Sequence, residues 1–491
     1  MKLIFFFFIL LRFVDSFALP IDRCLFFYRH SISYALSPDE QLVSDFLNQL
    51  PLLRLFMTNS PGTGHQAMTL DMIHRVLHLG YKGRMQVVYD DHILYGFGDN
   101  RIKLATLFEE FNPEGSGLQR LSETLELISL SEFQKRHQQQ VDMAIAPAHD
   151  GGGYLFGQQT GALPAVLKAS LVLTINPSNW IYPAMVTVQR GFKVYEKPLP
   201  QLDSFQILQE VPSESAALNS AKARDRQNRQ ILGGSSEEFL RNILKVTGGT
   251  HASWDLAPIY GLGFMKTPTK LSGESVLVNY VRALARAMKV SPKNFKKSGV
   301  ILPIFNDLSP SQLASIKSGL NDPSVNLQLL TGIDQVPLQQ VLLDETLESS
   351  ILLLNVGPVP RPIFSYLMTK ATLPILAEGK GTLSLLQAEG KVYIDTRREL
   401  ETTEKADVPN RLDSILEEQS RLLWANLPWT EEREHKIAEF ILLVSQANSW
   451  INKSVNSRKK EFGDPKKDKI FQALKIIEKE FAGGDPLVYF P

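Results

Sequence analysis

Residues 52–80 read LLRLFMTNSPGTGHQAMTLDMIHRVLHLG. The opening run, 52–60, is apolar and ends in turn residues, which is typical of a buried strand. After the glycines, apolar residues recur at helical spacing until Gly80, a residue type that ends helices. A second apolar run, MQVVYD at 85–90, follows. Strand, glycine turn, helix and strand in this order predict a unit of parallel α/β structure.

The same alternation continues along the chain. Further strands are predicted at 141–148, 169–177, 184–191, 298–307, 325–334, 349–360, 371–379 and 391–396. Helices are predicted at 38–50, 274–288, 361–370, 381–390, 411–427 and 468–481. Residues 212–236 are polar and poor in apolar side chains, which predicts a connection or an exposed helix.

This order of elements predicts the α/β fold class, with two Rossmann-like parallel-sheet domains that face a cleft and a helical C-terminal tail. We expect the first domain at 40–265, the second at 266–402 and the tail at 403–491. Ligands of open parallel sheets bind beyond the carboxyl ends of the strands. The loops at those ends are therefore expected to carry the chemistry.

The composition excludes several classes of protein. Hydrophobic residues make up 44% and charged residues 21%, as in an ordinary globular protein. Lys plus Arg and Asp plus Glu both number 52, so no overall field attracts nucleic acid, and we expect no such partner. Cys24 is the single cysteine, which excludes an intramolecular disulfide and a cysteine-based zinc site.

The N-terminus, MKLIFFFFILLRFVDSFALP, has the shape of a signal peptide over residues 1–18. Lys2 precedes an apolar run at 3–11, whereas Arg12 interrupts the pattern. A buried first strand and an artefact of the chosen start codon are the alternatives. A signal peptide would make the chain a secreted protein, and without it we expect a cytoplasmic one.

The loop PGTGHQ, which follows the first strand, resembles a nucleoside-triphosphate loop at first sight. That motif needs a glycine, a lysine and a hydroxyl at three positions. Here they are Asn59, His65 and Gln66, so all three functional positions differ. What remains is a Gly-Thr-Gly turn that places His65 at a helix start, where positive potential keeps an imidazole neutral as a base. A tight turn with a solvated histidine is the alternative interpretation.

A second glycine loop, EGKGT, spans Glu378 to Thr382 between a predicted strand and a predicted helix. The free amides of Gly379, Gly381 and Thr382 at the helix start favour a phosphate group. Lys380 adds positive charge, and Glu378 can accept hydrogen bonds from sugar or ribose hydroxyls. The alternative is a glycine loop with a surface lysine and glutamate.

Together the two loops resemble those of GT-B fold glycosyltransferases, in particular the group of the peptidoglycan N-acetylglucosamine transferase and the plant galactolipid synthases. Those enzymes begin with a strand and a glycine-rich loop containing Gly-His, matched here by SPGTGHQA at 60–67. Their second domain carries a Gly-x-x-Thr helix start, matched by 379–382. A Gly-x-Pro follows it in the family, where this chain has Gly-Lys-Val at 390–392.

The resemblance implies a role for each matched position. His65 would deprotonate the acceptor, and the 379–382 loop would bind the donor diphosphate. The segment before this loop would pack on the nucleotide base, with Arg361 available for phosphate or base. One position departs from the family, because the expected ribose-binding glutamate, three residues after the threonine, is Leu385. Either Glu378 substitutes for it, or the ribose contact is lost.

Several other polar residues and glycines are candidates for the acceptor side. They are Gly62 and Gly64 in the first loop, Asp90 and Asp91 after the second strand, His149 in AHDGGGY, and His251 and Asp255 in GGTHASWDLAPIYGLGF. The aromatic residues around Asp255 would suit a sugar ring. A solvated strand end, a plain turn and an interdomain hinge with packed aromatics are the respective alternatives.

These patterns predict a glycosyltransferase of the hexosyltransferase type that moves a sugar from a nucleotide diphosphate donor to an acceptor nucleophile. We expect no metal, since helix dipoles and basic residues can neutralise the leaving diphosphate. Inversion at the anomeric carbon is implied by the resemblance alone. The alternatives are a sugar-nucleotide 2-epimerase and a catalytically silent GT-B-like protein-binding module.

The partners follow from the same interpretation. The donor would be a nucleotide sugar, and the acceptor a lipid, glycan or protein. The basic stretch 452–469 predicts a membrane-surface contact or, alternatively, a solvated loop. Nucleotide sugars are cytosolic in bacteria, so a secreted enzyme would find its donor only in another cell, for example as an effector in a host cytosol.

Overall fold

The computed structural model describes nineteen parts of the chain, and all structural statements concern these parts. They are residues 36–59, 64–91, 99–108, 110–136, 139–147, 163–175, 185–190, 193–198, 211–227, 230–248, 252–262, 272–306, 308–320, 327–330, 338–342, 344, 347–396, 411–424 and 428–482. They form two compact units. Unit 1 comprises the described residues up to Ile175, those within 187–197 and those from Leu474; unit 2 comprises Met185, Val186 and the described residues from Pro198 to Ala473.

Unit 1 alternates strands and helices from its start. Its elements are α1 (Pro38–Leu47), β1 (Leu52–Met57), α2 (Gly64–His78), β2 (Arg84–Tyr89), α3 (Asn100–Leu107), β3 (Gln119–Arg120), β4 (Leu125–Ser129), α4 (Leu130–Lys135), β5 (Val141–Pro147), α5 (Leu163–Val166), β6 (Ala169–Ile175), β7 (Met185–Arg190) and β8 (Lys193–Pro198).

The sheet of unit 1 has the strand order β3-β4-β2-β1-β5-β6-β7-β8. β4, β2, β1, β5 and β6 pair in parallel, and only the short β3 runs antiparallel to its neighbour among the pairings described. β1 lies in the middle and is buried apart from its first residue. Its one charged residue, Arg54, is fully buried and donates from Nε to Gln86 Oε1 at 2.8 Å.

Unit 2 begins with two helices and then alternates in the same way. Its elements are α6 (Glu214–Arg226), α7 (Ser236–Thr247), β9 (Trp254–Leu256), α8 (Gly273–Val290), β10 (Gly299–Ile304), α9 (Pro310–Gly319), β11 (Leu327–Leu330), α10 (Leu338–Leu342), β12 (Ser350–Asn355), α11 (Arg361–Thr369), β13 (Ile375–Ala377), α12 (Lys380–Ala388) and β14 (Tyr393–Asp395), followed by α13 (Arg411–Trp424), α14 (Glu431–Ser445), α15 (Trp450–Phe462) and α16 (Lys469–Ala482), whose second half belongs to unit 1.

The strands of unit 2 form one parallel arrangement. β11, β12, β10 and β9 pair in that order, and β13 pairs with β14. Ile259, just beyond β9, joins the two groups, because it bridges Ile304 on one side and Leu376 on the other. The segment after β9 therefore lies between the ends of β10 and β13.

The C-terminal helices pack on the second sheet and its helices. α14 runs along α8, where Arg286 contacts Glu431 at 3.1 Å. α15 packs on α12, with an ion pair of 3.0 Å between Lys459 and Glu389. The final helix, α16, ends in unit 1, where Lys475 forms an ion pair with Asp39 at the start of α1.

The predicted fold class is confirmed as an α/β chain with parallel sheets in two units and helices at the C-terminus. The boundary differs from the expected 265, because α6, α7 and β9 belong to unit 2. The segment 212–236 is no open connection, since α6 buries Ala217, Leu218 and Ala221 against the second core. Helical spacing of small residues did not stand out among so many polar neighbours.

The basic stretch 452–469 is helical over most of its length, which corrects the expectation of a solvated loop. Arg458 reaches Asp413 at 2.6 Å and Lys467 reaches Glu461 at 3.1 Å. These two cations of the stretch are thus paired with carboxylates of the same chain.

Candidate functional site

Unit 2 has a topological switch point at the segment after β9, where later strands are added on the other side of the sheet. β10, β12 and β11 lie on one side of the β9 segment, and β13 and β14 lie on the other. In open parallel sheets such a switch point, at the carboxyl ends of the strands, is where ligands bind. The residues directly beyond β9, β10, β13 and β14 meet there.

Gly261 is the centre of this group, because its backbone is held on both sides. Its N–H donates to Asn306 Oδ1 at 3.0 Å, and its carbonyl accepts from Thr396 Oγ1 at 2.8 Å. Asn306 follows β10, and the buried Thr396 follows β14. The φ angle of Gly261 is +77°, a left-handed conformation that favours glycine.

Glu378, the residue that precedes the second glycine loop, packs directly on Gly261. A methyl group built on Gly261 would lie 2.0 Å from Glu378 Cβ and 2.9 Å from Glu378 Oε2. The two loops therefore touch without an intervening side chain. This contact places the half-buried Glu378 at the switch point.

The second glycine loop leads directly into α12. Gly379 is the N-cap of α12, with φ +88° and ψ 133°, and as a glycine it makes no side-chain cap itself. A methyl group at Gly379 would meet no atom of the described residues within 4 Å, so the turn borders open space. By contrast, α9 is closed by a capping box of Ser309 and Gln312. Helix starts of this kind, in which a glycine is the N-cap, present backbone N–H groups that favour anions.

A second helix start lies at the same end of the sheet. Arg361 is the first residue of α11, whose N-cap Pro360 makes no side-chain cap. Phe364, one turn later, packs edge-on against Tyr260 at 4.9 Å and Phe305 at 5.2 Å between ring centroids. These contacts bring the first turn of α11 to the ends of β9 and β10, so Arg361 and the aromatic rings belong to the same edge as Glu378.

The burial of Leu385 accounts for the absence of the ribose-binding glutamate that the resembling family has at this position. It is 1% exposed and belongs to the hydrophobic core of unit 2. A carboxylate at this position would face apolar side chains instead of a ligand. The acid that the structure does place at the helix start is Glu378.

In unit 1, the first glycine loop leads into α2 at the carboxyl end of β1. Gly62 lies outside the described residues, Gly64 is the first residue of α2 and His65 the second. Gln66 is fully buried and donates from Nε2 to Asn100 Oδ1 at 2.8 Å. Asn100 in turn donates to the carbonyl of Asp90 at 2.7 Å. This chain of contacts fixes the first turn of α2 against α3 and the end of β2.

The acid pair after β2 has two different environments. Asp90 is fully buried, and its N–H donates to the carbonyl of Met57 in β1 at 2.9 Å. Asp91 accepts hydrogen bonds from the N–H of Ser131 at 3.1 Å and from the Ser131 hydroxyl. Since Ser131 lies in the first turn of α4, Asp91 helps to cap that helix. Nearby, Asn59 is buried and accepts from Lys103 Nζ at 2.9 Å.

Of the remaining predicted residues, Asp255 does not join this edge. His149 and His251 lie outside the described residues. Asp255 is buried and accepts from the N–H of Lys296 at 2.8 Å and from Thr372 Oγ1 at 2.9 Å. Both partners precede strands, so this carboxylate lies at the amino-terminal edge of the sheet. Burial raises the pKa of Asp255, which fits a structural contact.

Asn306, Thr396 and Gly261 were not singled out from the sequence. The only available signal was that Asn306 and Thr396 are polar residues just beyond apolar runs, a pattern shared by many strand ends.

Within the parts of the chain that the structure covers, no three His, Cys, Asp or Glu side chains cluster in a way that could hold a metal ion. None of the helices described is long and apolar enough to cross a bilayer.

Comparison with known proteins gives similarity in structure alone. No protein-family model matches this chain, and a search of curated proteins finds no match. An α,α-trehalose 6-phosphate synthase from Burkholderia multivorans overlaps 90% of this chain and 98% of its own at 7% identity, with a TM-score of 0.40. A UGT transferase from Siraitia grosvenorii, solved with UDP, overlaps 88% of this chain and 100% of its own at 10% identity, with a TM-score of 0.44.

A UDP-N-acetylglucosamine 2-epimerase candidate from Listeria monocytogenes overlaps 88% of this chain and 97% of its own at 11% identity, with a TM-score of 0.40. At such values no activity carries over to this chain, and its function has to be argued from its own residues.

Proposed function

We propose that this chain is a GT-B type glycosyltransferase, which moves a sugar from a nucleoside diphosphate donor to an acceptor nucleophile. The observation that carries the proposal is the start of α12, where Gly379 turns at positive φ into the helix and its α-carbon borders open space at the switch point. Such a turn is suited to a diphosphate, because backbone amides and the helix dipole both favour negative charge.

The residues around this turn supply the remaining donor contacts. Lys380 and Arg361 are the cations of the two helix starts and would balance the charge of the diphosphate. Glu378 would accept hydrogen bonds from hydroxyls of the ribose or the donor sugar, the role for which the buried Leu385 is unsuited. The aromatic packing of Phe364 gives the edge a flat, apolar wall beside these polar groups.

Breaking the bond to the leaving diphosphate develops negative charge on its oxygens. Preorganised amides and cations stabilise that charge best where they need not rearrange. The helix start of α12 with Lys380 and Arg361 would provide this stabilisation, so the reaction we propose proceeds without a metal ion.

The acceptor is activated by His65 in the proposal. His65 is the second residue of α2, a fifteen-residue helix. In the proposal, the positive end of this helix favours the neutral imidazole. A neutral imidazole can take the proton from an acceptor hydroxyl as it attacks the sugar. Attack on the side opposite the leaving diphosphate would invert the anomeric carbon.

The first experiment is a thermal-shift screen against UDP-, GDP- and dTDP-sugars, followed by turnover measurements with the stabilising donor. We expect His65→Ala to lower turnover about 100-fold or more while donor affinity is kept. His78→Ala, the same change at the other end of α2, is the matched control and keeps turnover.

Three results would contradict the proposal. Unchanged turnover in His65→Ala would remove the base role. A product formed without any acceptor would favour sugar-nucleotide epimerisation. The absence of stabilisation by every donor would favour a silent protein-binding module.

A further inference from the structure

Asn306 carries a hydrogen-bond donor whose direction is fixed by the fold. Its Oδ1 accepts from the N–H of Gly261 at 3.0 Å. Because an N–H can only donate, this contact decides which end of the carboxamide faces Gly261. Nδ2 therefore points elsewhere, and no described residue offers it an acceptor. The half-buried Asn306 thus holds an oriented N–H₂ group with access to solvent.

The local helix does not need this group. α9 begins four residues after Asn306, and its capping box of Ser309 and Gln312 supplies its own cap. Asn306 is also outside the strand ladder, because β10 ends at Ile304. Neither capping nor sheet pairing accounts for an amide donor at this position.

The neighbours of Asn306 are those of the proposed donor site. Gly261, which Asn306 holds, packs directly on Glu378, and Glu378 is followed by the N-cap Gly379. Two direct contacts thus connect Asn306 with the helix start of α12. Its Nδ2 is thus a neutral donor in the same group of loops as a helix start of the kind that favours anions.

We infer that Asn306 is a donor-binding residue, whose Nδ2 donates a hydrogen bond to a diphosphate oxygen of the nucleotide held at 379–382. The inference rests on the proposed function and adds a ligand contact from a third loop, beyond β10. The carboxamide has two tasks: Oδ1 fixes the Gly261 loop, and Nδ2 binds the ligand.

The two tasks can be separated by substitution. Asn306→Asp keeps an oxygen that accepts from Gly261 but removes the N–H₂ group and adds a negative charge. Thr396→Val removes the other contact to Gly261, at its carbonyl, without touching a ligand donor. Asn294→Asp makes the same chemical change at the opposite, amino-terminal side of β10 and serves as the control.

Isothermal titration with UDP, GDP, dTDP and inorganic pyrophosphate measures the effect. For the nucleoside diphosphate that the wild type binds, we expect Asn306→Asp to weaken affinity about 10- to 100-fold. Pyrophosphate, which lacks base and ribose, loses affinity by a similar factor. Asn294→Asp binds like the wild type, and Thr396→Val lowers the melting temperature with a smaller loss of affinity than Asn306→Asp.

Wild-type affinity in Asn306→Asp would overturn the inference and leave the proposed function standing. Equal losses in Asn306→Asp and Thr396→Val would also overturn it, since Asn306 would then act on the loop alone. Pyrophosphate binding that Asn306→Asp leaves unchanged would exclude a diphosphate contact. A wild type that binds no nucleoside diphosphate would overturn the inference and the proposed function together.

Discussion

The side chain of Glu378 rests on the bare α-carbon of Gly261, so that a methyl group there would lie 2.0 Å from Glu378 Cβ. Gly261 is also clamped at both ends of its backbone, by Asn306 and Thr396. The position of the acid at the helix start is thus set by a glycine 117 residues earlier in the chain (378 minus 261). Two loops that the sequence keeps far apart form one structural element.

Gly261→Ala is expected to destabilise the fold and to displace Glu378. The substitution forces alanine into a left-handed conformation, which costs about 1–2 kcal/mol, and creates the contact with Glu378 in addition. Gly357→Ala is the control, because its φ is +70° but its methyl group would meet no atom of the described residues within 4 Å. Urea denaturation should show the larger loss for Gly261→Ala; equal losses would mean that the contact with Glu378 is unimportant.

Introducing at Leu385 the glutamate that the resembling family carries should not create a ribose contact. Leu385 is buried in the core of unit 2, and burying an unpaired carboxylate costs several kcal/mol. We expect Leu385→Glu to lose stability heavily and to gain no donor affinity, whereas Leu385→Met stays within about 1.5 kcal/mol of the wild type. A stable Leu385→Glu variant with tighter donor binding would show that this position does face the ligand.

Lys391 should give the stability of unit 2 a pH dependence. Burial lowers the pKa of Lys391 to about 8, although Glu389 raises it; Lys459 and Lys370 add to the lowering. Its ammonium donates to the carbonyl of Ala371 at 3.0 Å. In the unfolded chain the pKa is near the ordinary 10.5.

Between about pH 8 and pH 10.5 the unfolded chain therefore binds more protons at Lys391 than the folded one. Across this window the free energy of unfolding of the wild type should rise with pH relative to that of Lys391→Met. The difference between the two slopes corresponds to the uptake of up to about one proton on unfolding. Denaturation at a series of pH values measures it. Parallel curves for the two proteins would show that Lys391 titrates normally in the folded state.

Asp91 is expected to stabilise the start of α4. Asp91→Ala removes its two hydrogen bonds with Ser131, which should cost about 1 kcal/mol. Ser131→Ala removes the hydroxyl contact alone and should cost less. If Asp91→Ala instead leaves stability unchanged and abolishes transfer, the carboxylate contacts the acceptor.

Periodic apolar runs made most of the fold predictable. The predicted strand at 85–90 is found at Arg84–Tyr89, and the predicted helix at 274–288 at Gly273–Val290. Short elements were not predicted: β3 has only two residues, and the five residues of β4 are too few for their apolar pattern to stand out. The boundary of the units also escaped prediction, because which sheet a helix such as α6 packs on depends on contacts distant in sequence.

The site was predictable only where a glycine loop marks it. The 379–382 turn stands out in the sequence because glycines precede a helical period, and the structure places it at the switch point. Asp255 was a candidate too, yet it lies within the short β9 at the amino-terminal edge, where it accepts hydrogen bonds from Lys296 and Thr372. Spacing shows that a polar residue is near a strand but does not show which end of the sheet it occupies.

The last helix, α16, has a consequence for how the protein is made. Asp39 and its partner Lys475 are 436 residues apart, and the second half of α16 belongs to unit 1. Domains generally fold as units while the chain is synthesised from its N-terminus. Here the unit that emerges first receives its final helix last, so unit 1 stays incomplete on the ribosome until the whole of unit 2 has been translated.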